Sequence, residues 1–359
     1  MRAVVFGEFG VVPEIRQVPD PAPPPGGAVI QVAATGLCRS DWHGWLGHEP
    51  EIRLPHVPGH EFAGTVAAVG DGVAGWRPGD RVTTPFVCAC GTCPACRSGN
   101  QQVCERQTQP GFTHWGSYAD FVVVYHADVN LVRLSDELGF PAAAALGCRF
   151  ATAFRAVAAQ GRVRPGEWLV VYGCGGAGLS AVMVGVAAGA RVVAVDVHPP
   201  ALELAHRFGA SVCIDATGVD PGDRSGSAAS DRRARPGPLA RAVRDATGGG
   251  AHVSIDALGS PDACAAAIES LRRRGRHVQV GLLPERPALP MDLVIAYELA
   301  VLGSHGMPAH GYPEMLALVL DGRLRPDLLV TESLSLDDAP AALSTMDAPG
   351  SGGIRLIEL

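Results

Sequence analysis

The stretch from Trp168 to Asp196 restricts the possible folds of this 359-residue chain more than any other. Trp168-Leu169-Val170-Val171-Tyr172 is a continuous apolar run of strand length, followed at once by Gly173-Cys174-Gly175-Gly176-Ala177-Gly178. Leu179 to Ala188 reads as a helix and Arg191-Val192-Val193-Ala194-Val195 as a second strand. The Gly-x-Gly-x-x-Gly therefore stands in the strand, turn, helix and strand context that a dinucleotide-binding fold requires. Gly173 allows the tight turn that leads through Gly176 into the helix, Gly175 lets backbone approach a pyrophosphate, and Gly178 packs helix on sheet. The helix N-terminus faces the negative charge. Asp196 ends the second strand about 20 residues on, where a carboxylate bonds adenosine ribose hydroxyls and repels a 2′-phosphate. NAD is expected over NADP, since His198 and Pro199-Pro200-Ala201 offer no phosphate clamp.

The wound pattern continues. Val212-Cys213-Ile214 reads as a third strand, and Val253 to Gly259, a helix around Cys264 to Arg272, and His277 to Leu282 follow. Between them, Thr217 to Pro238 is rich in Gly, Ser, Asp, Arg and Pro, and reads as an exposed insertion. The first part of the chain is different. Short apolar runs at Ala3 to Phe6, Ala28 to Ala33, Gly64 to Gly70 and Gly116 to Val124 are split by Pro- and Gly-rich turns, which predicts a compact, mostly β domain. The last part, from Tyr312, carries a helix near Glu314 to Leu320 and a final strand at Gly353 to Ile357. Two domains suit this length.

Composition narrows the function. Hydrophobic content of 47% with 18% charged residues implies a folded globular protein. A formal net charge of -7 leaves no broad basic surface, which argues against nucleic acid or anionic membrane partners. The longest apolar stretch, Ala181 to Ala190, is too short to span a bilayer. Met1 to Phe6 lacks the apolar core and cleavage site of a signal peptide, so a cytoplasmic protein is expected. All 29 basic residues are arginines, which excludes lysine Schiff-base and P-loop lysine chemistry. Ten cysteines in such a chain point to metal or catalysis before disulfides.

Two segments fit metal. Cys90, Cys93 and Cys96 have two residues between neighbours and Cys104 follows after seven more, a spacing that lets one loop wrap a tetrahedral ion. Four thiolates make a closed site with no place for substrate, so a structural zinc is expected in the lobe 88–104. Cys88 is spare and could in principle replace Cys90. The second segment runs from Cys38-Arg39-Ser40-Asp41-Trp42-His43 to Gly59-His60-Glu61-Phe62-Ala63-Gly64. Cys38 and His60 are donors of the kind a catalytic zinc uses, with three protein ligands and one open position.

The Cys38 segment, Gly59-His60-Glu61-x-x-Gly64, the four-cysteine lobe, Gly147-Cys148 and the glycine motif together resemble the zinc-dependent medium-chain alcohol dehydrogenases. The resemblance covers nearly the whole chain outside 217–238. It implies an α/β protein: a GroES-like, mostly β catalytic domain (1–148 and 305–359) plus a doubly wound, parallel-sheet Rossmann domain (149–304). Substrate and nicotinamide would meet between them. It makes Cys148, ahead of a helix-forming stretch, the third catalytic-zinc ligand, giving two zinc ions per chain. Arg39 and Arg355 would clasp the pyrophosphate, Thr152 and the backbone of Val280, Gly281 and Leu282 would hold the nicotinamide, and Phe86 would line the substrate pocket. Ser40 would hand the alcohol proton through the cofactor ribose to His43, whose charge changes near neutral pH. Asp41 would orient His60. Glu61 either orients the site or approaches the metal.

Trp42, Trp45 and Leu46 adjoin the proposed relay and are read as further pocket lining, which favours a primary, apolar alcohol. The expected partners are that alcohol or its carbonyl product, and a second copy of the chain in a homodimer or homotetramer. A polyol dehydrogenase or biosynthetic carbonyl reductase of the same family is the alternative. A metal-stabilised binding protein without turnover would show missing ligands, and none is missing.

Overall fold

The computed structural model describes residues 1–217, 236–347 and 352–359. Most of the 217–238 insertion lies outside them. The chain forms two units: Met1–Ala151 with Gly306–Gly350 and Ile354–Leu359, and Thr152–His305 with Ser351–Gly353. The boundaries between them fall at Ala151/Thr152 and His305/Gly306. Cys148 sits in a widened turn at Leu146–Phe150 that continues into the helix Ala151–Arg155.

In the first unit, β1 (Arg2–Val5) and β2 (Glu14–Gln17) form an antiparallel ribbon. β3 (Ala28–Leu37) is the spine of a larger sheet, pairing antiparallel with β4 (Phe62–Val69), which in turn pairs with β5 (Arg81–Thr83). β6 (Phe121–Val124) also pairs with β3, and β7 (Val132–Arg133) closes the β5 side. Alternate residues of a strand share a face. Ala28, Ile30 and Val32 accordingly pack with Phe62, Val66, Val82, Val122 and Val124 in one core.

The second unit is a six-stranded parallel sheet built from β8 (Trp168–Tyr172), β9 (Arg191–Asp196), β10 (Val212–Asp215), β11 (Ala251–Asp256), β12 (Leu271–Gln279) and β13 (Ala300–Gly303). Their spatial order, β10-β9-β8-β11-β12-β13, is the doubly wound one, with its switch between β8 and β11. One expectation is corrected here. The helix ends at Glu269 rather than near Arg272, and Leu271–Arg276 belongs to β12, because pairing with β11 and β13 outweighs the helix propensity of Leu and Arg. The chain then returns to the first unit, where β14 (Val330–Ser335) runs parallel to β15 (Ile354–Glu358) and β15 lies antiparallel to β3.

Candidate active site

The pairing of β3 with β4 builds the site. Thr35 faces Phe62 across the antiparallel ladder, so the chain leaving β3 at Leu37 and the chain entering β4 at Phe62 arrive side by side. Cys38 and His60, 22 positions apart, become neighbours for that reason. Gly59 sits at φ +108°, where a Cβ would lie 2.5 Å from the Tyr118 ring, so only glycine admits this approach. Cys148 comes from the widened turn. One donor atom from each of Cys38, His60, Glu61 and Cys148 lies within 4.8 Å of the others.

Hydrogen bonds hold these side chains in place. Asp41 Oδ1 accepts from Gly59 N and pairs with His60 Nδ1, both at 2.9 Å, while Oδ2 accepts from Cys38 N at 3.2 Å and the Tyr118 hydroxyl at 3.3 Å. His60 Nε2 is buried and has no hydrogen-bond partner. With Nδ1 engaged, that nitrogen is the one free to ligate. Glu61 takes another path: its carboxylate pairs with the Arg149 guanidinium and accepts from Cys148 N and Arg149 N, which fastens the Cys148 turn to β4. Gly147 makes room, since a Cβ there would lie 3.0 Å from Glu61 Cα.

The electrostatics favour a cation. The neighbouring Cys148 thiol holds the Cys38 thiol well below its ordinary pKa, and Cys38 in turn pushes Cys148 well above its own. Burial alone would lower His60, but the Asp41 carboxylate and Cys38 outweigh it and raise its pKa. Burial raises Glu61, opposed by Arg149. Two sulfurs and one unpartnered imidazole nitrogen facing a common point are a donor set that suits zinc. Phe86 and Phe112 flank the His60 ring, with centroids 6.2 and 5.1 Å away.

The other expected residues of this unit are arranged around helix Arg39–Trp45. Ser40 Oγ is 3.9 Å from Cys38 Sγ. His43 Nδ1 faces His48 Nδ1 at 3.1 Å, and burial, then His48 and Arg39, lower the His43 pKa. Arg39 lies over the Trp42 ring at 5.2 Å. Arg355 pairs in register with Leu37 and donates to Ala342 O. Trp45 is a correction: it is 6% exposed, gives its indole N–H to Val11 O and packs in the core with Phe6, Val57 and Leu343 rather than lining a pocket. Trp42 and Leu46 are half-buried against the same cluster.

Cys90, Cys93, Cys96 and Cys104 form the second cluster, with all four Sγ atoms within 4.8 Å of one another and the Cys93–Cys96, Cys93–Cys104 and Cys90–Cys96 pairs at 3.4, 3.8 and 4.0 Å. Four sulfurs each 2.3 Å from a tetrahedral ion would lie about 3.8 Å apart, so the cage has the size zinc needs. Backbone donors already serve the sulfurs: Cys93 N donates to Cys90 Sγ, and Cys90 N and Arg106 N donate to Cys104 Sγ. Thr92 N, the Thr92 hydroxyl and Cys93 N, all donating to Cys90 Sγ, draw Cys90 down to about 5, while burial pushes Cys96 up to about 12. Cys88 stands apart, packed in the β3 core against Thr84, and burial pushes it to about 12.

In the second unit the glycine turn joins β8 to helix Gly176–Ala187. Gly173 has φ +85°, and a Cβ on Gly178 would lie 1.7 Å from Gly173 O. Asp196 accepts from Cys174 N, Val197 N and His198 N, which pins the carboxylate beside the turn. Val280 N and Gly281 N both donate to Asp256 O, and Leu282 is exposed. Thr152 Oγ1 is buried without a hydrogen-bond partner.

Sequence reasoning missed Arg149, Tyr118, Phe112 and Tyr312, whose hydroxyl donates to Gly147 O. The one available signal was Arg149 beside Cys148; for the others nothing local marks a residue that joins the site from 50 or more positions away.

The comparisons agree across the chain. Residues 24–136 match the alcohol dehydrogenase GroES-like domain and residues 176–321 the zinc-binding dehydrogenase domain. The chain is 31% identical over 340 residues to an alcohol dehydrogenase of Geobacillus stearothermophilus, covering 94% of each. It is 35% identical over 307 residues to an alcohol dehydrogenase of Rhizobium meliloti (strain 1021), covering 85% of this chain and 84% of that one. Among solved structures, alcohol dehydrogenase TADH from Thermus sp. ATN1 superposes with a TM-score of 0.87 at 32% identity, covering 100% of this chain and 99% of that one. With both family domains matched and a relative 31% identical over 94% of its length, the chain belongs to the zinc-dependent medium-chain alcohol dehydrogenase family.

Proposed function

We propose that the protein is an NAD-dependent zinc alcohol dehydrogenase, transferring a hydride between an alcohol and NAD to give the aldehyde or ketone, or the reverse. The convergence of Cys38, His60 and Cys148 around a buried imidazole nitrogen without a partner carries this reading. Bound zinc supplies Lewis-acid polarisation of the substrate oxygen, and bound NAD supplies the hydride acceptor.

The protein's own groups do the rest. Asp41 holds His60 in the tautomer with a proton on Nδ1, leaving Nε2 free to ligate. Glu61, tied to Arg149, orients the Cys148 turn rather than competing as a ligand. Ser40 takes the alcohol proton and His43 receives it as general base, with its pKa kept low enough to be unprotonated near neutral pH. Phe86 and Phe112 keep water from the His60 ring and, with Trp42 and Leu46, favour an apolar primary alcohol. The unpartnered Thr152 hydroxyl supports its role beside the nicotinamide, and Arg355, in register with Leu37, and Arg39, next to Cys38 in the chain, support theirs at the pyrophosphate.

NAD over NADP rests on Asp196 beside the glycine turn. A second, structural zinc is assigned to the cage of Cys90, Cys93, Cys96 and Cys104. Ten free cysteines suit a reducing cytoplasm. No described helix is long and apolar enough to cross a membrane. A homodimer or homotetramer through the edge strand β13, beside exposed Met291 and Ile295, is the expected assembly.

The test is NADH formation over a panel of primary alcohols, secondary alcohols and polyols, with NADP in parallel and zinc measured by atomic spectrometry. Cys38→Ser should lose one of two zinc ions per chain and all turnover while keeping NAD affinity. Turnover in Cys38→Ser, or a metal-free active wild type, would overturn the reading. A preference for polyols would favour the polyol dehydrogenase alternative.

A further inference from the structure

Parallel strands begin at one end of their sheet, so the second unit gathers the first residues of its strands at the end opposite the glycine turn. Trp168 opens β8, Arg191 opens β9, and His252 and Arg272 stand second in β11 and β12. These strands are spatial neighbours, in the order β9-β8-β11-β12. The four side chains line a concavity of about 430 Å³. A second one of about 330 Å³ shares Arg272 with it and adds Arg244, Arg273 and Tyr297.

The charge here is unbalanced. Nearby Arg276 has Glu167 at 2.6 Å and Arg274 has Glu298 at 2.5 Å, but among the described residues no carboxylate pairs with Arg191, Arg244, Arg272 or Arg273. In a chain of net charge -7, four uncompensated guanidinium groups in adjoining hollows repel one another and attract an anion. Arg191 lies over the Trp168 ring at 4.3 Å and Arg273 over Tyr297 at 4.5 Å. Stacking of this kind fixes the guanidinium plane; Arg273 Nη1 donates to Ala296 O at 3.2 Å and Arg244 Nη1 to Leu271 O at 2.6 Å, so it is their remaining N–H groups that are available to an anion.

His252 adds an independent observation. Its Nδ1 accepts the Trp168 N–H at 2.9 Å, so the proton of the neutral ring resides on Nε2. Nε2 faces Arg272 Nη1 at 2.8 Å. Two N–H donors are thus aimed at each other with no acceptor between them. An anionic oxygen beside both would accept from each. Burial, Arg272, Arg276 and Arg191, opposed by Glu167, hold the His252 pKa below its ordinary value, which keeps Nδ1 the acceptor of the Trp168 backbone N–H.

We propose that this end of the sheet binds a small polyphosphate anion, with Arg191, Arg272 and His252 on one phosphoryl group and Arg244 and Arg273 on the next. Guanidinium forks match phosphate oxygens two at a time, and two adjoining hollows joined at Arg272 suit linked phosphates better than a single one. The site is separate from the dinucleotide turn, since β8 alone puts about 13 Å between Trp168 and Tyr172.

The experiment is calorimetric titration of the full-length, zinc-loaded, NAD-saturated protein with tripolyphosphate, and with ATP in parallel. Expected is saturable binding of one tripolyphosphate per chain, undiminished by NAD and weakened by salt. Arg191→Ala/Arg272→Ala should raise Kd at least about tenfold, and the milder His252→Gln about threefold, with alcohol oxidation by both variants unchanged as the check on folding. ATP binding at least about tenfold tighter than tripolyphosphate identifies a nucleotide as the ligand, and equal affinities identify the phosphates alone. No saturable binding to the wild type, displacement by NAD, or unchanged affinity in both variants overturns the proposal.

Discussion

Asp41 shares its two oxygens among Cys38 N, Tyr118 Oη, Gly59 N and His60 Nδ1, so one carboxylate sets the position of two proposed zinc ligands. Asp41→Asn places an amide N–H among these donors. Zinc affinity should fall about 10–100-fold with the fold retained, measured by competition with a chelator. Unchanged affinity would remove Asp41 from this role. His43 offers a second test. Its pKa is lowered by burial, by His48 at 3.1 Å and by Arg39. A base must be unprotonated, so alcohol oxidation should decline as pH falls through that lowered value. His48→Ala removes a charge that resists protonation, and the acid limb of the kcat/KM profile should move to higher pH. A limb that stays put would mean that another group titrates. Cys38, Asp41, His43 and His60 could be picked out by residue type and spacing. Arg149 and Tyr118 could not, because their roles exist only where distant backbone delivers them to Glu61 and Asp41.

Among the elements, the turn after β8 separates two uses of glycine. A Cβ on Gly178 would lie 1.7 Å from Gly173 O, whereas one on Gly175 would meet nothing within 4 Å. Gly178→Ala should therefore destabilise the second unit by about 1–3 kcal/mol or more, through overpacking of helix on strand. Gly175→Ala should leave stability unchanged and weaken NAD binding at least about tenfold, since its side chain would project where the pyrophosphate approaches. Denaturant midpoints and NAD titrations of the two variants check this, and an equal loss of stability in both would refute the distinction. Strand β8 was legible to the residue because a five-residue apolar run bounded by Glu167 and Gly173 has one reading. β12 was not, because Leu271-Arg272-Arg273-Arg274 looks helical until β11 supplies a pairing edge.

For the whole molecule, six histidines outside the proposed metal sites, His43, His56, His114, His252, His277 and His305, are held below the ordinary imidazole pKa, in each case chiefly by burial, and His114 falls to about 4. When folded pKa values are depressed, the unfolded chain binds more protons between the folded and unfolded values, so stability is full above about pH 6.5 and lost as pH falls below it. His114 alone would contribute about 3 kcal/mol to that loss by pH 4. Urea midpoints should be flat from pH 8 to 7 and decline steadily toward pH 5, and His114→Gln should flatten the decline; an acid limb insensitive to that substitution would refute the assignment. The amino-acid sequence by itself determined the four-cysteine cage, the glycine turn and its acid, and the nature of the catalytic donors, because each is written in spacings of a few residues that connectivity enforces. Only the tertiary structure decided that Cys148 meets Cys38 and His60, that Glu61 is tied to Arg149, that Trp45 is core, and that unpaired arginines gather at one end of a sheet. These depend on strand register and on competition for buried space between segments far apart in the chain.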